Sequence, residues 1–197
     1  MIKLAIFLSG TGSNARNICG YFAAHPRIEV VLLLTNNKDS GAIHIARDFN
    51  IAYYVFNRQQ FYETGEVLEQ LNLAHIDAVV LAGFLWLVPD NLLQRFPRKI
   101  INIHPALLPK YGGKGMYGMK VHELIHQNKE AESGITIHLC NGRYDEGDIL
   151  FQTKCKIEEG DDPQAIAQKV HALEYEFFPT VIEEYLTSNY ADHFLAD

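Results

Sequence analysis

Leu4-Ala5-Ile6-Phe7-Leu8 is apolar at every position and runs straight into Ser9-Gly10-Thr11-Gly12-Ser13-Asn14-Ala15. An apolar run without alternation suits a strand covered on both faces, the condition of a parallel sheet flanked by helices. The glycines permit a tight turn, and the small polar residues suit the start of a helix. The pattern then repeats. Strands are predicted over 3–8, 29–34, 51–56, 77–82 and 99–104, and helices over 14–24, 40–49, 58–73 and 92–96. The third helix starts at Gln59 or Thr64. Strands alternating with helices at this spacing give a Rossmann-like α/β fold, a mainly parallel sheet with helices on both faces.

The second half changes character. Residues 107–118 are rich in Gly and Pro and read as a flexible loop, followed by a helix over 121–127. Residues 134–139 alternate, which suits an antiparallel strand open on one face. Asp145-Glu146-Gly147-Asp148 makes a turn, and 149–157 continue as a strand with Gln152, Lys154 and Lys156 on one face. This antiparallel extension leads to a last helix with Pro163 near its first position. That helix turns Ile166, Val170, Leu173 and Phe177 inward; Pro179 interrupts it and 181–186 resume. No repeat, low-complexity segment or linker divides the 197 residues, so one domain over 1–197 is expected, with halves meeting near residue 100.

A formal net charge of -7 leaves no basic excess to neutralise nucleic-acid phosphates or an anionic membrane surface. A local phosphate pocket built from backbone N–H groups stays open. Cys19, Cys140 and Cys155 are odd in number and lack CxxC spacing, so they read as reduced thiols of a cytoplasmic protein. The first residues are too short for a signal peptide, and no apolar run is long enough for a membrane span. Monomer and homodimer both fit.

Gly10-Thr11-Gly12-Ser13-Asn14-Ala15 matches G-x-G-x-x-A after a strand. A dinucleotide site also needs an acid at the end of the second strand, where this chain has Thr35-Asn36-Asn37. The Gly-Lys-Ser/Thr ending of a Walker loop is missing. What remains is a helix N-terminus suited to one phosphate, beside the plainer reading of a turn capped by Ser13 or Asn14.

Ile100-Ile101-Asn102-Ile103-His104-Pro105 is a strand pattern stopped by proline. Its period of two turns Asn102 and His104 to one face. An amide N–H donates to a developing oxyanion, and an imidazole moves a proton near neutral pH. The plainer reading is a capping Asn and a surface His. No Ser or Cys elbow stands nearby, so direct transfer between two bound substrates fits better than a covalent intermediate. A carboxylate from Asp145 or Asp148 beside His104 would favour its charged form, whereas an isolated Asp-Glu-Gly-Asp is an ordinary solvated turn. No spacing of acids and histidines points to a metal. His25, His44, His75, His126 and His193 read as surface or capping residues, and His122 and His138 as candidate site neighbours.

Taken together, the Ser9–Asn14 loop, Leu81-Ala82-Gly83-Phe84, Asn102-Ile103-His104-Pro105-Ala106-Leu107-Leu108-Pro109-Lys110-Tyr111 and Asp145-Glu146-Gly147-Asp148-Ile149-Leu150 resemble the phosphoribosylglycinamide formyltransferase family. These are folate-dependent enzymes of purine synthesis. The resemblance runs from Leu4 to about Leu186. The Asn-x-His-Pro segment is shared with methionyl-tRNA formyltransferases and formyltetrahydrofolate deformylases. The glycine loop and the lack of another domain select the glycinamide branch.

The resemblance implies a formyl transfer from 10-formyltetrahydrofolate to the amine of phosphoribosylglycinamide, with small-molecule substrates and no metal. It implies that Gly12, Ser13 and Asn14 hold the ribonucleotide phosphate, and that Gly83, Pro105, His171 and Glu174 touch the rest of that substrate. Leu85, Trp86, Leu87, Val88, Asn102, Cys140, Asn141 and Tyr144 would bind the folate. Asn102, His104 and Asp145 would be catalytic, with Asp145 raising the pKa of His104. The half to about residue 100 would serve phosphate binding, and the half over about 101–190 folate binding and catalysis. Trp86 stands where better-known members often carry arginine. A formyltransferase for another amine, such as a nucleotide sugar, and a folate-sequestering protein without turnover are the rival readings.

Overall fold

A computed structural model describes residues 1–191; His193 lies outside the described residues. The contacts cluster into two compact units, one spanning residues 1–102 and the other beginning at Ile103.

In the first unit, strands β1 (Ile2–Leu8), β2 (Ile28–Thr35), β3 (Ala52–Val55), β4 (Ala78–Leu81) and β5 (Ile100–His104, which runs past the unit boundary) are ordered β3-β2-β1-β4-β5. All four neighbouring pairs are parallel, with Ile6 opposite both Leu33 and Val80, and Val80 opposite Ile101. Leu4 to Leu8 are 1% exposed or less, which is why β1 carries no polar face. The rings of Phe7, Phe56, Phe61 and Phe84 pack 5.2–6.2 Å apart against it. The strand order reverses direction between β1 and β4. In sheets of this type ligands bind beyond the carboxyl ends of the strands at such a switch point.

Helices α1 (Ser13–Phe22), α2 (Ala42–Phe49), α3 (Arg58–Tyr62), α4 (Glu66–Leu73) and α5 (Asp90–Arg95) fill the connections. The single helix expected over 58–73 is two. Asn57 and Gln60 form a reciprocal capping box that starts α3 at Arg58, and Gly65 at φ 76° breaks the run before α4. That left-handed conformation is open to glycine at little cost and ends a helix.

The second unit holds α6 (Met119–Gln127), β6 (Glu132–Leu139), β7 (Ile149–Lys156) and α7 (Pro163–Ala191). Strands β6 and β7 pair antiparallel, with Ile135 opposite Thr153. The expectation that β6 is open on one face is corrected, since Ser133 to Leu139 are all buried. The alternate residues are polar but satisfied. Thr136 Oγ1 donates to the Ala106 carbonyl at 2.7 Å and accepts from the Leu108 N–H at 3.0 Å and Gln152 Nε2 at 2.8 Å. A hydroxyl that fills its whole bonding capacity can be buried without penalty.

Helix α7 runs unbroken through Pro179, which overturns the expected interruption. Proline removes one donor and crowds the carbonyl four residues back, costing about 3 kcal/mol in an isolated helix. Here Phe178, Pro179, Val181 and Ile182 are all buried around it, and that burial outweighs the penalty. The buried ridge is Ile166, Val170, Glu174, Phe178 and Ile182 at intervals of four, whereas Leu173 and Phe177 are only half-buried. An apolar-only reading skips Glu174 and so rotates the stripe. Phe178→Ala should lower stability by about 3–5 kcal/mol, read as a shift of the urea midpoint. Among the described residues no helix is long and apolar enough to cross a membrane.

Candidate active site

The glycine loop leaves β1 and enters α1 under tight constraint. Gly12 stands at φ 80°, and a Cβ there would meet Leu8 Cδ1 at 2.6 Å and Ile45 Cδ1 at 2.7 Å. The Gly41 N–H donates to the Gly10 carbonyl at 3.0 Å, and Asn37 Nδ2 donates to the Ser9 carbonyl at 3.1 Å. On the β4 side, the Ser9 N–H donates to the Gly83 carbonyl at 3.1 Å, and Ser9 Oγ accepts from the Leu85 N–H at 3.2 Å. The loop is therefore fixed at the β1/β4 switch point. Gly12 is the N-cap of α1; no side chain caps that turn, and no acid stands in it. Ser13 is the first helical residue, so the capping reading of Ser13 and Asn14 does not hold. An uncapped first turn leaves N–H groups and the positive end of the helix dipole for an anion.

Beyond Gly83, Leu85 is 43% exposed, Trp86 and Leu87 are half-buried, and Val88 is buried. The Trp86 ring packs 6.0 Å from Phe56, 5.8 Å from Phe61 and, stacked at 30°, 6.0 Å from Tyr62. The Arg58 guanidinium lies 4.8 Å over Tyr62 and 5.8 Å from Trp86. The Tyr62 hydroxyl donates to the Leu87 carbonyl at 2.9 Å, so the backbone of this segment is held as well as its rings.

In the second unit His104 is 4% exposed at the end of β5, two residues after the half-buried Asn102. Half-buried Pro105 follows at once and has no N–H to extend the strand. His104 Nε2 donates to the Tyr111 carbonyl at 2.7 Å, and Nδ1 lies 3.5 Å from Asp145 Oδ2. The other Asp145 oxygen lies 3.6 Å from His138 Nε2, while His138 Nδ1 donates to the Leu139 carbonyl at 2.9 Å. Asp145 thus bridges two buried imidazoles, each tied at its far nitrogen to a backbone carbonyl. The Gly113 N–H completes its shell at 2.9 Å.

The solvated-turn reading fails for Asp145, whose side chain is 11% exposed, and holds for Asp148, which is exposed. A side chain at Gly147 would put its Cβ 1.7 Å from the Leu139 carbonyl oxygen, so the turn closes only with glycine there. In the same turn Asn141 is exposed and accepts the Arg143 N–H, and Tyr144 is half-buried. Burial and the Asp145 charge push the Cys140 thiol up, out of reach of ionisation near neutral pH.

Burial works to raise the Asp145 carboxyl, but the His138 hydrogen bond, the His104 charge, the Gly113 N–H and the His138 charge hold it below the usual carboxylate range. For His104 the balance goes the other way. Burial pushes the imidazole down, and the Asp145 charge and the Tyr111 carbonyl only partly restore it, so the net direction is below its ordinary value. Asp145 does raise His104, as the resemblance implies, but desolvation is the larger effect.

On α7, His171 Nδ1 lies 2.8 Å from Glu174 Oε2, and that hydrogen bond raises the His171 pKa. Glu174 is 4% exposed and His171 half-exposed. The His122 ring, 2% exposed on α6, packs 6.3 Å from that of His171. Burial, then the His171 charge, lowers His122 to about 4.

Comparison with known proteins decides the family. A profile described as formyl transferase matches residues 2–182. The chain belongs to the formyl transferase family. It is 32% identical to phosphoribosylglycinamide formyltransferase of Bacillus subtilis, over 96% of this chain and 97% of that protein. It is 41% identical to the chloroplastic phosphoribosylglycinamide formyltransferase of Arabidopsis thaliana over 91% of its own length, but spans only 64% of that longer protein. Among solved structures, phosphoribosylglycinamide formyltransferase from Bacillus halodurans superposes with a TM-score of 0.83 at 31% identity, covering 93% of this chain and 95% of that one.

Two features of this formyl transferase escaped sequence reasoning. One is the direct contact of His138 with Asp145; the sequence marked His138 as a candidate site neighbour without giving its partner. The other is the Tyr111 carbonyl on His104, a backbone contact that residue type does not encode.

Proposed function

We propose that this formyl transferase moves the formyl group of 10-formyltetrahydrofolate onto the amine of phosphoribosylglycinamide, giving formylglycinamide ribonucleotide and tetrahydrofolate. The observation that carries this is the buried His104–Asp145–His138 array at the end of the strand that also bears Asn102. The amine attacks the formyl carbon, a C–N bond forms and the C=O electron pair moves to oxygen. The Asn102 amide and the His104 imidazole stabilise that oxygen. Asp145 takes the amine's proton. Collapse breaks the bond to the folate nitrogen, which takes up that proton from Asp145.

The uncapped α1 turn at Gly12, Ser13 and Asn14 supports a phosphate contact. Gly83, Pro105, His171 and Glu174 are assigned to the rest of the ribonucleotide. Leu85, Trp86, Leu87, Val88, Asn102, Cys140, Asn141 and Tyr144 are assigned to the folate, with the half-exposed apolar side chain of Leu85 suited to a flat ring. The assignment puts phosphate binding in the first hundred or so residues, and folate binding and catalysis over about 101–190. A cytoplasmic monomer or homodimer goes with this reading, supported by three unpaired cysteines.

The test is spectrophotometric appearance of tetrahydrofolate with and without the ribonucleotide. Formation only when it is present is expected; equal rates without it would overturn the transfer reading in favour of hydrolysis. Asn14→Ala should raise KM for the ribonucleotide about tenfold, roughly the value of one lost charge-assisted hydrogen bond, with KM for the folate unchanged.

A further inference from the structure

Tyr111, Gly112 and Gly113 follow the strand end that carries His104, and two of their backbone groups hold the reacting pair. The Tyr111 carbonyl accepts from His104 Nε2 at 2.7 Å, and the Gly113 N–H donates to Asp145 Oδ2 at 2.9 Å. A carbonyl can only accept, so the proton of a neutral His104 ring sits on Nε2. Tyr111 reaches that contact from φ 58°, a left-handed conformation that side chains rarely adopt. Its phenol is tied down at the other end. The hydroxyl donates to Glu130 Oε1 at 2.9 Å and accepts from Asn128 Nδ2 at 2.8 Å. Glu130 is braced in turn by Lys110 Nζ, 3.0 and 3.2 Å from its two oxygens. Asn128 and Glu130 lie in the short connection between α6 and β6, whose backbone bonds back to Leu124 and Ile125. Gly112 leaves little slack, since a Cβ there would lie 2.6 Å from Leu108 Cδ2 and 3.3 Å from Asp145 Cβ.

We propose that Tyr111 is a positioning residue: anchored through its hydroxyl by Glu130 and Asn128, it keeps the His104 proton on Nε2 and Nδ1 toward Asp145, the ring orientation that formyl transfer uses. Only the last clause rests on the formyl-transfer reading. With Nε2 committed as donor, Nδ1 is the nitrogen that faces Asp145, so charge arising on the ring is met by the carboxylate. The remaining charged and titratable groups acting on the ring are His138, Glu174 and His122. Without the anchor, the carbonyl no longer selects between the two ring nitrogens, and the proton is free to move to Nδ1, on the Asp145 side of the ring.

The test reads the His104 tautomer directly by nitrogen NMR on the full chain, without substrate, alongside steady-state kinetics. The wild type should show one tautomer with the proton on Nε2. Tyr111→Phe keeps the ring and loses the hydroxyl; it should give mixed tautomers and lower kcat about tenfold to a hundredfold with KM for both substrates unchanged. Glu130→Ala should behave the same way and carries the test if Tyr111→Phe does not fold. Glu130→Gln keeps the acceptor and should restore both readouts. Lys110→Ala touches only the brace and should leave both unchanged. A wild-type proton on Nδ1, or Tyr111→Phe and Glu130→Ala variants with the wild-type tautomer and kcat, would overturn the proposal. If the tautomer follows the anchor but purified protein makes no tetrahydrofolate, the positioning role stands and the formyl-transfer reading falls.

Discussion

Asn102→Ala should lower kcat by about 10²–10³-fold, roughly 3–4 kcal/mol of transition-state stabilisation, with little change in KM for the ribonucleotide. The side-chain amide is asked to donate to an oxygen that is only weakly basic in the bound formyl group and becomes an anion during attack, so its contribution appears in the transition state. Asp145→Asn should lower kcat by about 10³-fold for a different reason. Asparagine keeps the shape and can still accept the Gly113 N–H, so the turn survives. It loses the charge that faces both imidazoles. Asp145 is a main influence holding the His104 pKa up against burial, so the acid limb of the kcat profile should move to lower pH in this variant. The carboxyl is itself held below its ordinary value, so its stabilising contribution is present above that value and lost as pH falls through the depressed one. The variant should therefore be less stable than wild type at neutral pH and converge on it in acid. Rates near wild type in both variants would sink the assignment of roles.

Acid should destabilise the protein through His122 well before its carboxylates protonate. The ring is 2% exposed, its Nδ1 has no partner among the described residues, and burial with the His171 charge lowers it to about 4. An unfolded chain takes up the proton at the ordinary value near 6.5, while the folded one resists until about pH 4. The stabilising contribution is therefore complete above about pH 6.5 and is lost as pH falls toward about 4, on the order of 3 kcal/mol in all. His104, also depressed, adds in the same sense. His171 acts oppositely. Its pKa is raised by Glu174, so its contribution is complete below the ordinary value and is lost as pH rises through the folded one. Stability should peak near neutrality. Urea midpoints followed from neutral pH to about pH 4 should fall in the wild type and fall distinctly less in His122→Leu; parallel slopes would show that His122 does not carry the effect.

Much of the frame was legible in the chain itself because it is written in local periodicity. The unbroken apolar run of β1, the glycine turn after it and the alternation that sets Asn102 and His104 on one face depend on residues within a few positions of each other. So does Pro163 at the first position of α7. The resemblance over nearly the whole chain was equally readable, and the family profile bears it out.

What tertiary structure alone decided lies where distant residues compete. Two aspartates share one turn, and only contacts with His104, His138 and Gly113 select Asp145 for burial over Asp148. Thr136 and His138 look solvent-facing by alternation and are buried: Ala106, Leu108 and Gln152, remote in sequence, satisfy the Thr136 hydroxyl, and the folded turn brings Asp145 onto His138. Pro179 is carried through α7 by the burial around it. The direction of the His104 pKa is the clearest instance. The charge beside it could be anticipated from an acidic turn, but the loss of water around the ring is a property of the folded interior, and it is the larger of the two.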